Sequence, residues 1–385
     1  MININNAPIP TWGNLTKAVV KKQPSLDSLS KKWLLGNDKG YWFSRSAWSI
    51  YSIIRFRMIY TKSESINLWL PDYFCNEATT ALRELNVKIS FYCIDKNKKP
   101  DSELCNDLLH KSTPDLILYV NYFGENLFSE ALSGIAKNNN AWLIEDSTQC
   151  LMPEAGIGSY GDFVIYSPYK FLSIPDGALL VIRQDGPSNI SDSKLNELGF
   201  DDLYDSINNS KFFFKVRPLI WLMKRLIQKI GLHSLFKTNY INKDDPNSNI
   251  HKLPHPKMSK FAQLLLGTML DLEAESKLRI KAQKQWSKSI EENAKLNNKI
   301  ITEPYRGFTP YIAKVKVKDL SSFNNIMQLF NKSKIPISTW PDLPPEVKSK
   351  PNIHKRAIKL RNSFLYLPVH GSIRRFKIIS KVRDI

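Results

Sequence analysis

The sequence predicts an α/β protein with a large domain on a mainly parallel sheet, followed by a smaller C-terminal α+β domain. Three observations predict it. From about residue 40 to 185, short apolar runs alternate with helical patterns. Those runs are continuous rather than alternating, as strands covered on both faces are. And 385 residues exceed what one hydrophobic core ordinarily organises. The expected division is 1–250 for the large domain, with a basic helical insertion at about 206–243, and 251–385 for the small one.

The elements follow in order. A helix is expected to begin in the segment Ser44-Arg45-Ser46-Ala47 and run through Trp48 and Ile54. INLWL (66–70) is a buried strand, and Asn76 is placed to cap a helix over NEATTALRELN. Strands at 88–94 and 116–120, a helix at 129–137, and strands at 142–145, 163–166 and 178–182 come next. Residues 206–243 break the alternation and contain no Asp or Glu. Within them, Pro218 to Gly231 carries a helix-starting proline, a helix-stopping glycine, an apolar stripe at Leu219, Leu222, Met223, Leu226 and Ile230, and the cations Lys224, Arg225 and Lys229. A long helical stretch at about 259–293 and a strand at 312–317 complete the reading.

Composition narrows the class. Aromatics at 11% argue against a disordered chain. The surplus of 55 basic over 36 acidic residues gives +19, which attracts phosphates, nucleic acid or anionic lipid without choosing among them. No nucleic-acid recognition motif is present, and no nucleic-acid partner is expected. The four cysteines form neither a CxxC pair nor a zinc spacing, so they are expected to be reduced thiols. No signal-peptide pattern and no apolar run of spanning length occur, and a cytoplasmic location is expected.

In sheets of this kind ligands sit beyond the carboxyl ends of the strands. Asp146 directly follows the run 142–145, where a buried carboxylate can pair with a cationic ring; such an Asp is also an ordinary helix N-cap. Lys170 follows the run 163–166 in an apolar, tightly turned loop closed by Asp176-Gly177, where desolvation is expected to lower its pKa. Ser167 stands three residues before it. Ser44 to Ala47 offers hydroxyls and free N–H groups at a helix start, a ready anion seat or an ordinary cap. A lysine, a ring-pairing acid and a phosphate seat are the parts a pyridoxal-phosphate (PLP) site requires.

The order of segments is more specific than any one of them. FSRSAW, LPDYFCNEATTALRELNVKISFYCID, VNYFGENLFSEALSGIAKNNNAWLIEDSTQC, GDFVIYSPYK and PKMSKFAQLLLG resemble, in sequence order, the corresponding stretches of the DegT/DnrJ/EryC1/StrS family. These are PLP-dependent sugar aminotransferases of fold type I, and the resemblance runs from about residue 43 to 369. It implies PLP held covalently by Lys170, Asp146 on the ring nitrogen, Gln149 at the ring hydroxyl, and Ser46, Ser167 and the Arg45 backbone on the phosphate. Cys75 falls where the family's ring-stacking aromatic is common, so Phe74 or Tyr73 is expected to cover the ring. His255 falls where an asparagine reaches the neighbouring subunit's phosphate. The SPYK loop is about two residues shorter than the common form. The resemblance further implies a homodimer with shared sites, a nucleotide-linked keto sugar and an amino-acid donor such as glutamate as partners, and products destined for surface polysaccharide such as O-antigen. Relatives that eliminate water replace the lysine by histidine, so a retained Lys170 favours transfer over a sugar dehydratase. Tyr305, Tyr311, Trp340 and His370 are the expected sugar-pocket residues. The basic helix leaves two roles open, peripheral membrane contact through 211–237 or packing against the chain or its dimer partner.

Overall fold

The computed structural model describes residues 8–190, 192–209, 217–230, 255–375 and 377–385. Among these residues ten strands form two sheets. They are β1 (Lys39–Phe43), β2 (Ile66–Pro71), β3 (Val87–Tyr92), β4 (Leu116–Val120), β5 (Trp142–Ser147), β6 (Phe163–Tyr166), β7 (Ala178–Ile182), β8 (Ile300–Thr302), β9 (Ile312–Val317) and β10 (Phe364–Pro368). The large sheet has the order β1-β7-β6-β5-β4-β2-β3. Its five strands from β6 to β3 are parallel, and β7 alone runs against its neighbours β6 and β1. The small sheet, β10-β9-β8, is antiparallel.

Continuous apolar strands give this arrangement because both faces are covered. Along β6 and β7, Phe163, Ile165, Leu180 and Ile182 join one core cluster with the helix Ser46–Thr61 and the helix Phe200–Asn208. Their alternates Val164, Tyr166, Leu179 and Val181 enter a second cluster with Trp33, Trp42, Met258, Leu265 and Leu266. A period of two thus distributes one strand's side chains to two helical layers. The small sheet has its own core, in which Val315 and Leu367 pack with Trp286, Phe330 and Ile373.

Several elements differ from expectation. The helix expected over 76–86 is four residues, Asn76–Thr79, followed by a 3-10 turn at Leu82–Glu84. Cys75 rather than Asn76 occupies the N-cap, and Thr79 Oγ1 donates back to the Asn76 carbonyl, a local bond that competes with helix continuation. The stretch 259–293 is two helices, Lys260–Leu266 and Leu272–Glu291, separated after Gly267 and restarted by the Asp271 cap on Ala274 N. The basic helix is present as Arg217–Ile230; its expected glycine stop and the rest of 211–237 lie outside the described residues.

The sheet order has a reversal. From β2 the chain moves outward to β3, then returns past β2 to β4 and continues to β5 and β6. A crevice therefore opens beyond the carboxyl ends of β2 and β4.

Candidate active site

That crevice holds a cavity of about 240 Å³. Each strand end delivers part of its wall. Phe74 and Cys75 follow β2, Val120 ends β4 with Tyr122 and Phe123 beyond, Asp146, Thr148 and Gln149 come from the end of β5, and Tyr169 and Lys170 follow β6. Arg45, Ser46 and Ala47 enter from the start of the helix Ser46–Thr61, and Tyr311, Trp340 and Tyr366 from the C-terminal part of the chain.

Lys170 ends a 3-10 turn, Pro168–Lys170, whose proline fixes the first turn after β6. Its Nζ donates to Thr148 Oγ1 at 3.0 Å. Burial acts to lower its pKa, but Tyr169, Tyr311, Asp146 and Cys75 outweigh it, and the amine sits above the ordinary lysine value. This corrects the expected lowering. Desolvation was legible in the apolar loop, but it is opposed first by the neighbouring Tyr169 and then by Tyr311 and Asp146, which distant segments bring to the amine.

Asp146 is 6% exposed and occupies the last turn of pleat in β5, facing Val120 and Ile165 across the ladder. Burial holds its carboxyl above the usual range, while Lys170 and the Thr148 N–H, which donates to Oδ1 at 2.9 Å, pull it down. Its neighbour Glu145 is otherwise committed. That carboxylate accepts from Asn121 Nδ2 at 2.8 Å, Gly158 N at 2.5 Å and Tyr160 N at 3.2 Å, tying down the loop before β6. Of the two adjacent acids, only Asp146 faces the cavity. Gln149 lines it too, with Oε1 accepting the Phe123 N–H at 2.8 Å.

The helix start expected to seat an anion lies at the cavity wall. Arg45 is the N-cap residue in extended conformation, and no side chain caps the N–H groups that follow it at the cavity wall. The Arg45 guanidinium turns away, lying 4.4 Å over the Tyr169 ring and donating to Ser44 O and Pro175 O.

Two expected site residues stand off the wall. Ser167 is fully buried beside the lysine turn, and its Oγ has no hydrogen-bond partner among the described residues. His255 is placed against the anion seat through its backbone, whose carbonyl accepts from Ser44 Oγ at 2.6 Å. Of the two candidates for covering a ring, Phe74 is at the cavity. Tyr73 lies behind it, stacked on Trp340 at 4.3 Å and sharing a hydrogen bond of 2.9 Å with Tyr366. Tyr311 and Trp340 reach the cavity; Tyr305 and His370 do not. Tyr305 lies instead beneath Lys284, and His370 is wholly buried.

Thr148, which touches Lys170 and Asp146 at once, escaped the sequence reading. Its signal was a hydroxyl residue two positions after the acid. Arg279 was missed as well. Only 1% exposed, it donates to Phe171 O at 2.9 Å, to Tyr311 O at 3.1 Å and to Glu275 Oε1 at 2.8 Å, so it braces the peptide next to Lys170 from the helix Leu272–Glu291.

No family model matches the chain, and no curated protein matches it by sequence. Solved structures match over nearly its whole length. A Streptococcus pneumoniae protein named as a sugar aminotransferase, in its PLP form, superposes with a TM-score of 0.68 at 12% identity, over 99% of this chain and 98% of that one. A DegT/DnrJ/EryC1/StrS aminotransferase from Brucella abortus gives 0.64 at 14%, over 97% and 94%. A GDP-4-keto-6-deoxymannose-3-dehydratase with bound GDP-perosamine gives 0.66 at 15%, over 99% of each. The chain therefore has the fold of these proteins, the fold type I architecture of PLP enzymes, with its large mainly parallel sheet and small antiparallel one.

Proposed function

We propose that the chain is a PLP-dependent aminotransferase that moves an amino group, with glutamate as donor, onto a keto sugar carried on a nucleoside diphosphate. The observation that carries this reading is the convergence of Lys170, Asp146 and an uncapped helix start in one cavity at the reversal of the sheet. The residues present fit the cofactor. A carboxyl that burial holds high gains from a cationic ring nitrogen, the N–H groups at Ser46 and Ala47 are open to an anion, and the buried Ser167 hydroxyl lacks a partner.

In this reading Asp146 holds the proton on the ring nitrogen, Gln149 orients the ring's hydroxyl edge, and Phe74 covers one face. Ser46, Ser167 and the Arg45 backbone hold the phosphate, and His255 serves the neighbouring subunit's site. When bound, PLP supplies an electron sink next to the reacting carbon and carries nitrogen from donor to acceptor. Lys170 Nζ, held at 3.0 Å by Thr148, is the base that takes the proton from the donor's Cα and returns it. Tyr311 and Trp340 face the same space and are placed to meet the sugar. The dehydratase among the similar structures holds a nucleotide-linked sugar, which supports that substrate class; a lysine at position 170 supports transfer over elimination. We place the enzyme in the cytoplasm as a homodimer, divided at about residue 250, with products feeding surface polysaccharide such as O-antigen.

The test is spectroscopic. Purified protein with PLP is expected to show a visible band that borohydride converts to a fixed mass on the Lys170 peptide, and glutamate is expected to shift the spectrum to the pyridoxamine form. A band that survives Lys170→Ala overturns the lysine, and a spectrum that glutamate leaves unmoved overturns transfer.

A further inference from the structure

The helix Arg217–Ile230 is mounted with its apolar stripe outward. At about 100° per residue, Leu219, Ile220, Met223 and Leu226 share one arc, while Trp221, Lys224, Arg225 and Gln228 share the other. A surface helix ordinarily buries the apolar arc. Here Leu219, Ile220 and Met223 are 62%, 44% and 56% exposed. On the opposite arc Gln228 is buried and Trp221 meets Phe261 edge-on at 6.4 Å; within the helix Arg225 lies 5.4 Å over Trp221 and donates to Gln228 Oε1 at 2.9 Å, while Lys224 stays exposed. An apolar face left open beside cations is unfavourable in water and suits an interface.

We propose that this helix docks the protein on an anionic lipid surface, lying in the plane of the headgroups. The helix carries Arg217, Lys224, Arg225 and Lys229 and no acid. A second copy seated helix against helix meets like charge, because the sequence of this helix has no acid to offer. An anionic bilayer accepts both features at once, the apolar arc at the acyl boundary and the cations among the headgroups. The inference extends beyond the transferase reading and does not depend on it, because the arc lies outside the residues that line the cavity.

The test is sedimentation of the full chain with vesicles of phosphatidylcholine alone or with about 30% phosphatidylglycerol. Wild type is expected to sediment with the anionic vesicles, to stay in solution with the neutral ones, and to be released by high salt. Leu219→Asn combined with Met223→Asn is expected to weaken partition by about a hundredfold, since each side chain removes a large apolar contact. Lys224→Gln weakens it less and reduces the salt dependence. It replaces an exposed side chain, so it stands as the second arm if the double variant misfolds by circular dichroism. No sedimentation with anionic vesicles, or sedimentation that none of these variants alters, overturns the proposal. So does a double variant that turns an oligomer into monomer in light scattering, which assigns the face to a second copy.

Discussion

Replacing Thr148 by Val isolates one atom of the site. Thr148 is 4% exposed, its N–H donates to Asp146 Oδ1 at 2.9 Å, and its Oγ1 accepts from Lys170 Nζ at 3.0 Å. Valine keeps the shape and the N–H and deletes only the oxygen. A hydrogen bond to a charged group contributes about 1.5–3 kcal/mol. Lys170 retains its attraction to Asp146, so the lower end applies, and at about 1.4 kcal/mol per factor of ten the expected loss is about tenfold. The loss belongs to steps in which Nζ must be free and aimed. Single-turnover reaction with glutamate, followed by absorbance, is expected to slow about tenfold, while cofactor affinity changes less than about twofold. The pH profile gives a second reading. The hydroxyl favours the ammonium form, so its removal lowers the lysine pKa and moves the limb that reports deprotonation of the lysine toward lower pH. An unchanged rate with an unmoved limb refutes the reasoning. Loss of cofactor with a normal rate in the loaded fraction refutes it differently, by showing that Thr148 acts through Asp146.

Three further outcomes are expected. Asp146→Asn removes a charge-assisted contact and is expected to weaken PLP binding by about 10- to 100-fold in equilibrium titration; wild-type affinity and turnover would mean that another group pairs with the ring. Burial, then Glu77, pushes the Cys75 thiol up to about 11, so its alkylation by iodoacetamide is expected to be slow at neutral pH and to rise about tenfold per pH unit until that range; a rate already flat at pH 8 contradicts it. Lys314, 7% exposed on the small sheet, reaches Glu125 Oε1 at 2.5 Å and Glu303 Oε2 at 2.6 Å. Burial pushes Glu303 up, but Lys314 holds it below the usual range, so that ion pair contributes stability above pH of about 4.3 and loses it as pH falls through the lower folded value. Lys314→Met is expected to cost about 3–5 kcal/mol in urea unfolding at pH 7 and less at pH 4; an equal cost at both refutes the role assigned to the carboxylates.

Strands buried on both faces were legible almost to the residue, as at 116–120, 163–166 and 178–182, because no polar residue interrupts them. Lys39–Phe43 was not, since an edge strand opening on Lys-Gly has half its signal missing. Ile300–Thr302 is too short to carry a period. At the site, Lys170, Asp146, Gln149, Phe74, Arg45 and Ser46 reach one cavity. What stayed hidden depended on contacts between distant segments. The direction of the lysine's pKa depends on Tyr311 and Asp146 from distant segments as well as on its neighbour Tyr169, the lysine's hydroxyl partner follows β5, and the choice of Tyr311 and Trp340 over Tyr305 and His370 follows from how β9 and the loop before residue 341 lie over the crevice. A local pattern reports propensity; it does not report which side chain of a second element stands opposite.

The Arg279 brace has a mechanical consequence. One buried guanidinium on the helix Leu272–Glu291 holds the Phe171 carbonyl after Lys170 and the Tyr311 carbonyl just before β9 in a single set of bonds. Swinging the small domain away as a body carries Arg279, Glu275 and Tyr311 together and takes from the buried cation the Phe171 acceptor, which lies in the large domain, so opening by rotation of the whole domain costs a charge-assisted bond. Traffic of substrate and product therefore falls to the loops around the cavity mouth, and turnover by this protein should be governed by loop motion or chemistry, with little sensitivity to solvent viscosity acting on the domain as a body.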